Sequence, residues 1–586
     1  MSEDRTMKQL LPWHFWLFIT ISGICLSSVV AQPAVFHTYP DWISQSLNHV
    51  ATGLGIADIN QDGWDDIVVA NGNDMQRQTV VVYYNDQSGG FPTVPSWSSS
   101  DIDYHGHLSI GDIDGNGFPD VAVSTFLGAG GFSDPGYAKV YFNYNGQLQS
   151  LPGFSTSDRM FTFSCALGDA DGDGDLDLAV AGGQPYSIGM GPYQTYGRIY
   201  YNQNGVLDTL PGWTSTVTMG ALDVEFADMD NNGYLDLLFA CHLTPNYIFL
   251  ADSTGLIQSI PSWHSQDVSY YGNSLTVGKI TNDDYLDLII SDNNQLGGLG
   301  KYKTYFFSQP PAGSSFPGWY SNTGGYGSAI LAADLNFNGR PDLVTGRWWG
   351  RVEIYLDTLY TLNTSPNWWS LTNSVIEAYA LRDVNQDGRF TRNRQITVER
   401  DSIHVLDLQD SGLEKIISLQ VDGLPLDPGV DYCTVSGASW ISTREPLLAG
   451  DLVSVEYLAS FKQDLAVSNW DDNIGNYLFY NQTIPTSLSE TAPLIGEPLV
   501  SVYPNPFNQS CRFEFYLLKN SRVRITIYDA LGRQVNQLLD QALQIGRHEV
   551  RWDGTDQQQT VVTSGIYFYH LLTEGGLKTG KILLLK

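Results

Sequence analysis

Apolar residues in this chain fall into short runs, such as Asp66-Ile67-Val68-Val69-Ala70 and Asp177-Leu178-Ala179-Val180-Ala181, separated by Gly, Asn, Asp and Ser. Turn signals recur roughly every 8 to 12 residues, and no long segment keeps the period of about 3.6 that marks an amphipathic helix. The pattern predicts an all-β protein.

A Pro-x-aromatic step recurs at Pro40-Asp41-Trp42, Pro95-Ser96-Trp97, Pro152-Gly153-Phe154, Pro211-Gly212-Trp213, Pro261-Ser262-Trp263, Pro317-Gly318-Trp319 and Pro366-Asn367-Trp368, at spacings of 49 to 59 residues. Each copy is followed by an acidic glycine loop, an apolar run and a tyrosine-bearing run such as Val80 to Tyr84. A repeat of about 55 residues with roughly four strands is the size of one propeller blade. The expectation is a seven-bladed β-propeller over residues 32–483. In the seventh unit the apolar strand is displaced to Asp464-Leu465-Ala466-Val467-Ser468, which predicts an inserted small β-sandwich at about 391–461, at a loop tip where insertions cost least. A Pro- and Ser/Thr-bearing linker, 484–498, then leads to alternating runs over 499–586, expected to form a C-terminal Ig-like β-sandwich.

The repeated loop reads Asp-x-[Asp/Asn]-x-[Asp/Asn]-Gly-x-x-Asp. Its copies are Asp58, Asn60, Asp62 and Asp66; Asp112, Asp114, Asn116 and Asp120; Asp169, Asp171, Asp173 and Asp177; Asp228, Asp230, Asn232 and Asp236; and Asp334, Asn336, Asn338 and Asp342. Oxygen donors at positions 1, 3, 5 and 9 around a glycine turn can converge on one ion, and hard oxygens without His or Cys suit Ca²⁺. Without a counter-ion, unit charges about 5 Å apart repel by roughly 1 kcal/mol in water and by several at an effective dielectric near 20. In the fifth copy Lys279 and Thr281 replace two donors, so an ion pair from Lys279 to Asp283 or Asp287 is expected instead of a metal. In the seventh, Asp383, Asn385 and Asp387 are separated from Asp464 by the insertion, and occupancy depends on its ends meeting. About five or six Ca²⁺ ions are expected.

The composition narrows the classes further. The 586 residues carry 63 acidic and 30 basic side chains, a net charge of −33, which argues against nucleic acid or anionic membrane as a partner. A hydrophobic fraction of 42% excludes a disordered acidic tail, and much of the acid excess is accounted for by the loops. Residues 1–31 read as a secretory signal, with Arg5 and Lys8 before an apolar run and Val29-Val30-Ala31 before Gln32. The run is also about long enough for an uncleaved anchor, although Pro12, His14 and the Ser-rich end favour cleavage. Cys165, Cys241, Cys433 and Cys511 lack paired spacing and read as buried thiols, with a Cys165–Cys241 bridge left open.

On these residues the seven repeats resemble FG-GAP or VCBS repeats, the calcium-loop propeller blades also found in integrin α-subunits. That resemblance implies a fold and a calcium role; the family serves adhesion, carbohydrate binding and occasionally lyase chemistry. The C-terminal segment, with Tyr503-Pro504-Asn505-Pro506, Tyr528-Asp529-x-Leu531-Gly532, Trp552-Asp553-Gly554, Ser564-Gly565-Ile566-Tyr567 and a last strand Lys581 to Lys586, is similar to type IX secretion sorting domains and the related FlgD-like Ig module. It implies handling by secretion machinery, outer-membrane transport in a Bacteroidetes-type bacterium, and a secreted or outer cell-surface location.

No nucleophile elbow, phosphate loop, HExxH or Cys-x-x-Cys motif is present. His105 and His107 share a strand and read as solvated rather than metal-binding. Trp348-Trp349 and Trp368-Trp369 add indoles beyond one per repeat, suited to stacking on sugars or to protein hot spots. The expected function is a monomeric glycan- or protein-binding, adhesion-type module. The alternative is a polysaccharide lyase or hydrolase whose groups converge at the propeller mouth.

Overall fold

A computed structural model describes residues 35–183, 196–483 and 499–585, less short stretches within them. The expected signal segment, the linker and Pro504-Asn505-Pro506 lie outside the described residues. Among those residues no helix forms, and the chain is built from small antiparallel sheets.

Within the repeat region seven sheets have four strands each. In the first, Ala51–Ala57, Asp66–Asn71, Val80–Tyr83 and Trp97–Ser98 pair in sequence order. The second strand of each is the apolar run read from sequence; Asp66–Asn71 is buried throughout because it lies between two neighbours in its own sheet and is packed on both faces. Side chains of adjacent sheets fill the space between them, as Val68, Val82, Val121, Val123 and Tyr141 do. The first strands touch in succession, and Ala51–Ala57 also touches Ile376–Arg382 of the last sheet. A Cβ on Gly53 would meet the Gly106 carbonyl oxygen at 2.8 Å, so glycine there permits the close approach of neighbouring first strands.

The Pro-x-aromatic step starts a sequence repeat but ends a sheet. Trp97 pairs with Val82, Trp213 with Ile199 and Trp368 with Ile354, each closing the sheet of the preceding unit. Trp42, at the start, pairs with Leu478 near the end and supplies the fourth strand of the last sheet. Several of these indoles donate onward to the following unit, Trp213 to the Ile257 carbonyl at 3.0 Å and Trp319 to that of Leu362 at 3.1 Å.

The seventh sheet is interrupted after Ile376–Arg382 and resumes with Asp464–Asn469. Between them Arg389 pairs with Ser460 at the base of two small sheets, which enclose their own core of Leu406, Leu419, Ile441, Val453 and Tyr457. Residues 499–585 form a three-stranded and a four-stranded sheet around Phe513, Ile525, Trp552 and Leu571. Cys165, Cys241, Cys433 and Cys511 are all free thiols, which removes the Cys165–Cys241 bridge.

Candidate metal loops and a central cavity

Each acidic loop joins the first strand of a sheet to the second. The ninth-position aspartates, Asp66, Asp120, Asp177, Asp236, Asp287, Asp342 and Asp464, begin the second strand and are 0% exposed in every copy. Their Oδ2 accepts the N–H of the second loop residue at 2.8–3.2 Å. Their Oδ1 accepts an N–H just beyond the third strand at 2.7–2.9 Å. The carboxylate therefore staples the loop to the far end of its own sheet, a role that does not need a metal. This explains why the fifth copy keeps Asp287 although it has lost its first donor. The leading aspartates Asp58, Asp112, Asp169, Asp228, Asp334 and Asp383 accept the N–H of the sixth-position glycine at 2.7–3.2 Å. In the first five of these copies that glycine has φ between 81° and 97°, the left-handed region a side chain resists.

Positions 1, 3 and 9 converge. In Asp112, Asp114 and Asp120, in Asp169, Asp171 and Asp177, and in Asp228, Asp230 and Asp236, one oxygen from each carboxylate lies within 4.8 Å of the others, a grouping that could hold a metal ion. Position 3 is an amide in the first, sixth and seventh copies, Asn60, Asn336 and Asn385. At position 5 the oxygens of Asp62, Asn116, Asp173, Asn232 and Asn338 accept the N–H two residues on, closing the turn, and the triad of the third loop does not include Asp173.

The donors fit a hard cation. Asp230 Oδ1 is buried without a hydrogen-bond partner. Burial, with neighbouring carboxylates adding to it, pushes Asp66 up to about 7, Asp120 to about 6, Asp177 to about 8 and Asp230 to about 7, and holds Asp236 well above the usual carboxylate range. A divalent ion would remove the repulsion that makes ionisation costly.

The two irregular copies resolve differently. Lys279 makes no ion pair with Asp283 or Asp287 among the described residues; the Thr281 hydroxyl and N–H bind Asp287 Oδ2 at 3.1 and 2.9 Å instead, which corrects the expected pair. In the seventh copy the ends of the insertion meet, Asp464 lies opposite Arg382, and Asp464 takes the same staple position as its counterparts. Lys462 pairs there with Asp387 at 2.8 Å.

The insertion also reaches the third and fourth loops. Arg444 bonds Asp169 Oδ2 at 2.5 Å and the Gly172 carbonyl, with its guanidinium 5.1 Å from the Tyr234 ring. The Ser442 hydroxyl donates to Asp228, and Trp440 joins the core between the fourth and fifth sheets. These contacts carry no sequence signal.

The first strands of all seven sheets line a cavity of about 830 Å³, with Asp407 and Trp440 of the insertion also on its wall. His107, Asp223 and Glu377, from the second, fourth and seventh sheets, converge on it. His107 Nδ1 lies 3.5 Å from Asp223 Oδ1. Burial opposes charge on both, but their mutual bond outweighs it: His107 is raised and Asp223 lowered. Burial pushes Glu377 up to about 7 and Glu225 to about 8. Neither histidine is the solvated side chain expected, for His105 is fully buried with Nδ1 2.8 Å from the Asn71 carbonyl. Of the extra indoles, Trp349 and Trp369 are 59% and 44% exposed, and Tyr326 stands edge-on to Trp349 at 5.5 Å. Trp368 is core, and Trp348 donates to Glu377 Oε2 at 2.5 Å.

The fold and loops thus define an all-β repeat protein with candidate metal loops. Residues 58–123 match the family described as FG-GAP-like repeat, and residues 507–574 match the FlgD Ig-like domain. The repeat match and the strand order support a β-propeller module followed by an Ig-like domain. Among solved structures, two crystal structures of BBS1N in complex with ARL6DN, one soaked with lead and one with mercury, are 10% identical. They cover 77% of this chain and 100% of theirs, with TM-scores of 0.42 and 0.43. No curated protein matches.

Proposed function

We propose that the chain is a secreted or cell-surface, calcium-stabilised, seven-bladed β-propeller that acts as a glycan- or protein-binding module. The observation that carries the calcium part is the repeated convergence of three carboxylates in successive loops, with Asp230 Oδ1 left without a partner. Asp112, Asp114 and Asp120, and their counterparts in the third and fourth loops, would hold the ion, with Asn60, Asn336 and Asn385 supplying amide oxygens elsewhere. The ion would supply charge neutralisation and rigidity rather than reaction chemistry. Seven four-stranded sheets whose first strands touch in sequence, with Trp42–Ile43 completing the last, support the blade count.

Binding is supported by two exposed indoles, Trp349, which stands edge-on to Tyr326, and Trp369. Export through a type IX system rests on the terminal motifs alone. A glycan array and a surface-protein capture assay with the calcium-loaded chain test the reading; absence of binding in both contradicts it.

The alternative, a polysaccharide-active enzyme, is favoured by one observation. His107, Asp223 and Glu377 come from three sheets to one cavity, an oriented imidazole and a carboxyl near neutrality of the kind acid–base chemistry uses. Turnover of a polysaccharide that is lost in Glu377→Gln would move the assignment to this class.

A further inference from the structure

The acidic loops of neighbouring sheets are joined by a repeated buried bridge. Asparagine stands two residues beyond the third strand in four sheets, as Asn85, Asn143, Asn202 and Asn481 of the first, second, third and seventh, and each is at most 5% exposed. All four make the same bonds. The backbone N–H donates to the ninth-position aspartate of its own loop, Asp66, Asp120, Asp177 or Asp464, at 2.7–2.8 Å. One Nδ2 hydrogen reaches the carbonyl just before that aspartate at 3.0–3.3 Å. The other crosses to the preceding sheet and binds the carbonyl of its second loop residue: Asn143 to Ile59 at 2.8 Å, Asn202 to Ile113 at 2.7 Å, Asn85 to Val384 at 3.0 Å and Asn481 to Leu335 at 3.1 Å. The N–H of that second residue is in turn held by the ninth-position aspartate of its own loop. A continuous chain of buried hydrogen bonds thus runs from Asp177 through Asp120, Asp66 and Asp464 to Asp342.

The bridge bears on the metal donors because of where it lands. Ile59 lies between Asp58 and Asn60, the first and third donors of its loop, and Ile113 lies between Asp112 and Asp114. Further contacts follow the same path. Turn glycines of the next sheet sit against the third loop residue, so that a Cβ on Gly146 would meet the Asn60 carbonyl oxygen at 2.7 Å and one on Gly205 that of Asp114 at 2.6 Å. The Gln61 amide donates to the Gly117 carbonyl, and that of Gln386 to the Gly63 carbonyl at 2.6 Å. Ala251 and Phe307, which have no side-chain donor, take the asparagine's place in the fourth and fifth sheets, so the third and fourth loops lack the bridge. Those are the two loops that Arg444 and Ser442 of the insertion bind. We propose that the sixth, seventh, first, second and third loops take up calcium cooperatively, with Asn481, Asn85, Asn143 and Asn202 as the positioning residues that couple each loop to its neighbour; the proposal rests on the calcium reading. Once Asp120 is fixed by an ion, Asn143 is fixed with it, and so is the backbone between two donors of the first loop. That loop is then already ordered when its own ion arrives, which raises its affinity, and by linkage the effect runs equally in the other direction.

The test is hydrogen–deuterium exchange on the full chain, titrated with calcium chloride from the chelator-treated state, so that each loop is read through its own peptides. Asp114→Ala removes a donor from the second loop alone. It should raise the calcium midpoint for protection of the first and third loops by at least about fivefold. In Asn143→Leu, close to asparagine in shape but without the amide, the first loop should no longer respond to Asp114→Ala, while the third, joined through Asn202, still does. A merely structural role for Asn143 would lower protection in both loops and leave the response of the first in place. If Asn143→Leu does not fold, Gln61→Ala, at the exposed bridge between the same two loops, should reduce the response of the first loop. Midpoints of the first and third loops that ignore Asp114→Ala, or a first loop that responds undiminished in the folded bridge variants, overturn the coupling and leave the calcium reading standing. Absence of calcium protection at every loop contradicts that reading and the proposal with it.

Discussion

The second, third and fourth acidic loops contain two kinds of aspartate that the motif does not distinguish. The ninth-position carboxylate satisfies two buried backbone N–H groups, whereas the third-position one faces chiefly its fellow carboxylates. Substitution should separate them. Asp287→Ala, in the loop without a first donor, orphans N–H groups at Ile280 and Phe307 and is expected to destabilise by about 2–4 kcal/mol with or without calcium, as read by chemical denaturation. Asp171→Asn should leave stability in chelator unchanged or slightly higher, because it removes a like charge, while lowering calcium affinity about tenfold by calorimetry. The raised carboxylates also fix a pH dependence. A group whose folded pKa lies above its unfolded value stabilises fully below the unfolded pKa and loses that contribution as pH rises through the folded one. With Asp120 at about 6, Asp66 at about 7 and Asp177 at about 8, the melting temperature in chelator should fall as pH rises from 4 to 9, and saturating calcium should abolish the fall.

At the scale of elements, the insertion behaves as a clasp across the loop face. Its strand Trp440–Leu447 is tied to the third loop by Arg444 and to the fourth by Ser442. Arg444 holds the same Asp169 that an ion in the third loop would use, so Arg444→Gln should raise calcium affinity at that loop several-fold. In chelator the same change should lower the melting temperature, because Asp169 then loses the cation that pairs with it. The strands themselves were legible in the sequence, because Asp66-Ile67-Val68-Val69-Ala70 and its counterparts carry both the turn and the apolar run locally. The offset of Pro-x-aromatic steps to the preceding sheet was not legible: Trp97 reads the same in sequence whether it opens its own unit or pairs with Val82. Nor was the clasp, since Arg444 and Asp169 meet only through the tertiary path of the insertion.

At the scale of the whole molecule, the seven first strands put residues that are hundreds of positions apart on one cavity wall, as His107 and Glu377 show. Sequence spacing could identify the metal loops, where the donors lie within nine residues, but not this convergence, where each group comes from a different sheet. The same ring construction makes the loops collectively important, because each one ties the inner strand of its sheet to the next and the N-terminal strand Trp42–Ile43 completes the last sheet. Binding of an ion to the folded state alone, at a concentration 100 times its dissociation constant, adds about 2.7 kcal/mol per site. The most direct measurement is the thermal melting of the metal-loaded chain at pH 7.5 in calcium and again in excess chelator. Calcium-stabilised loops predict a transition at least about 5 °C lower in chelator, restored on adding calcium back; superimposable curves would contradict the calcium account.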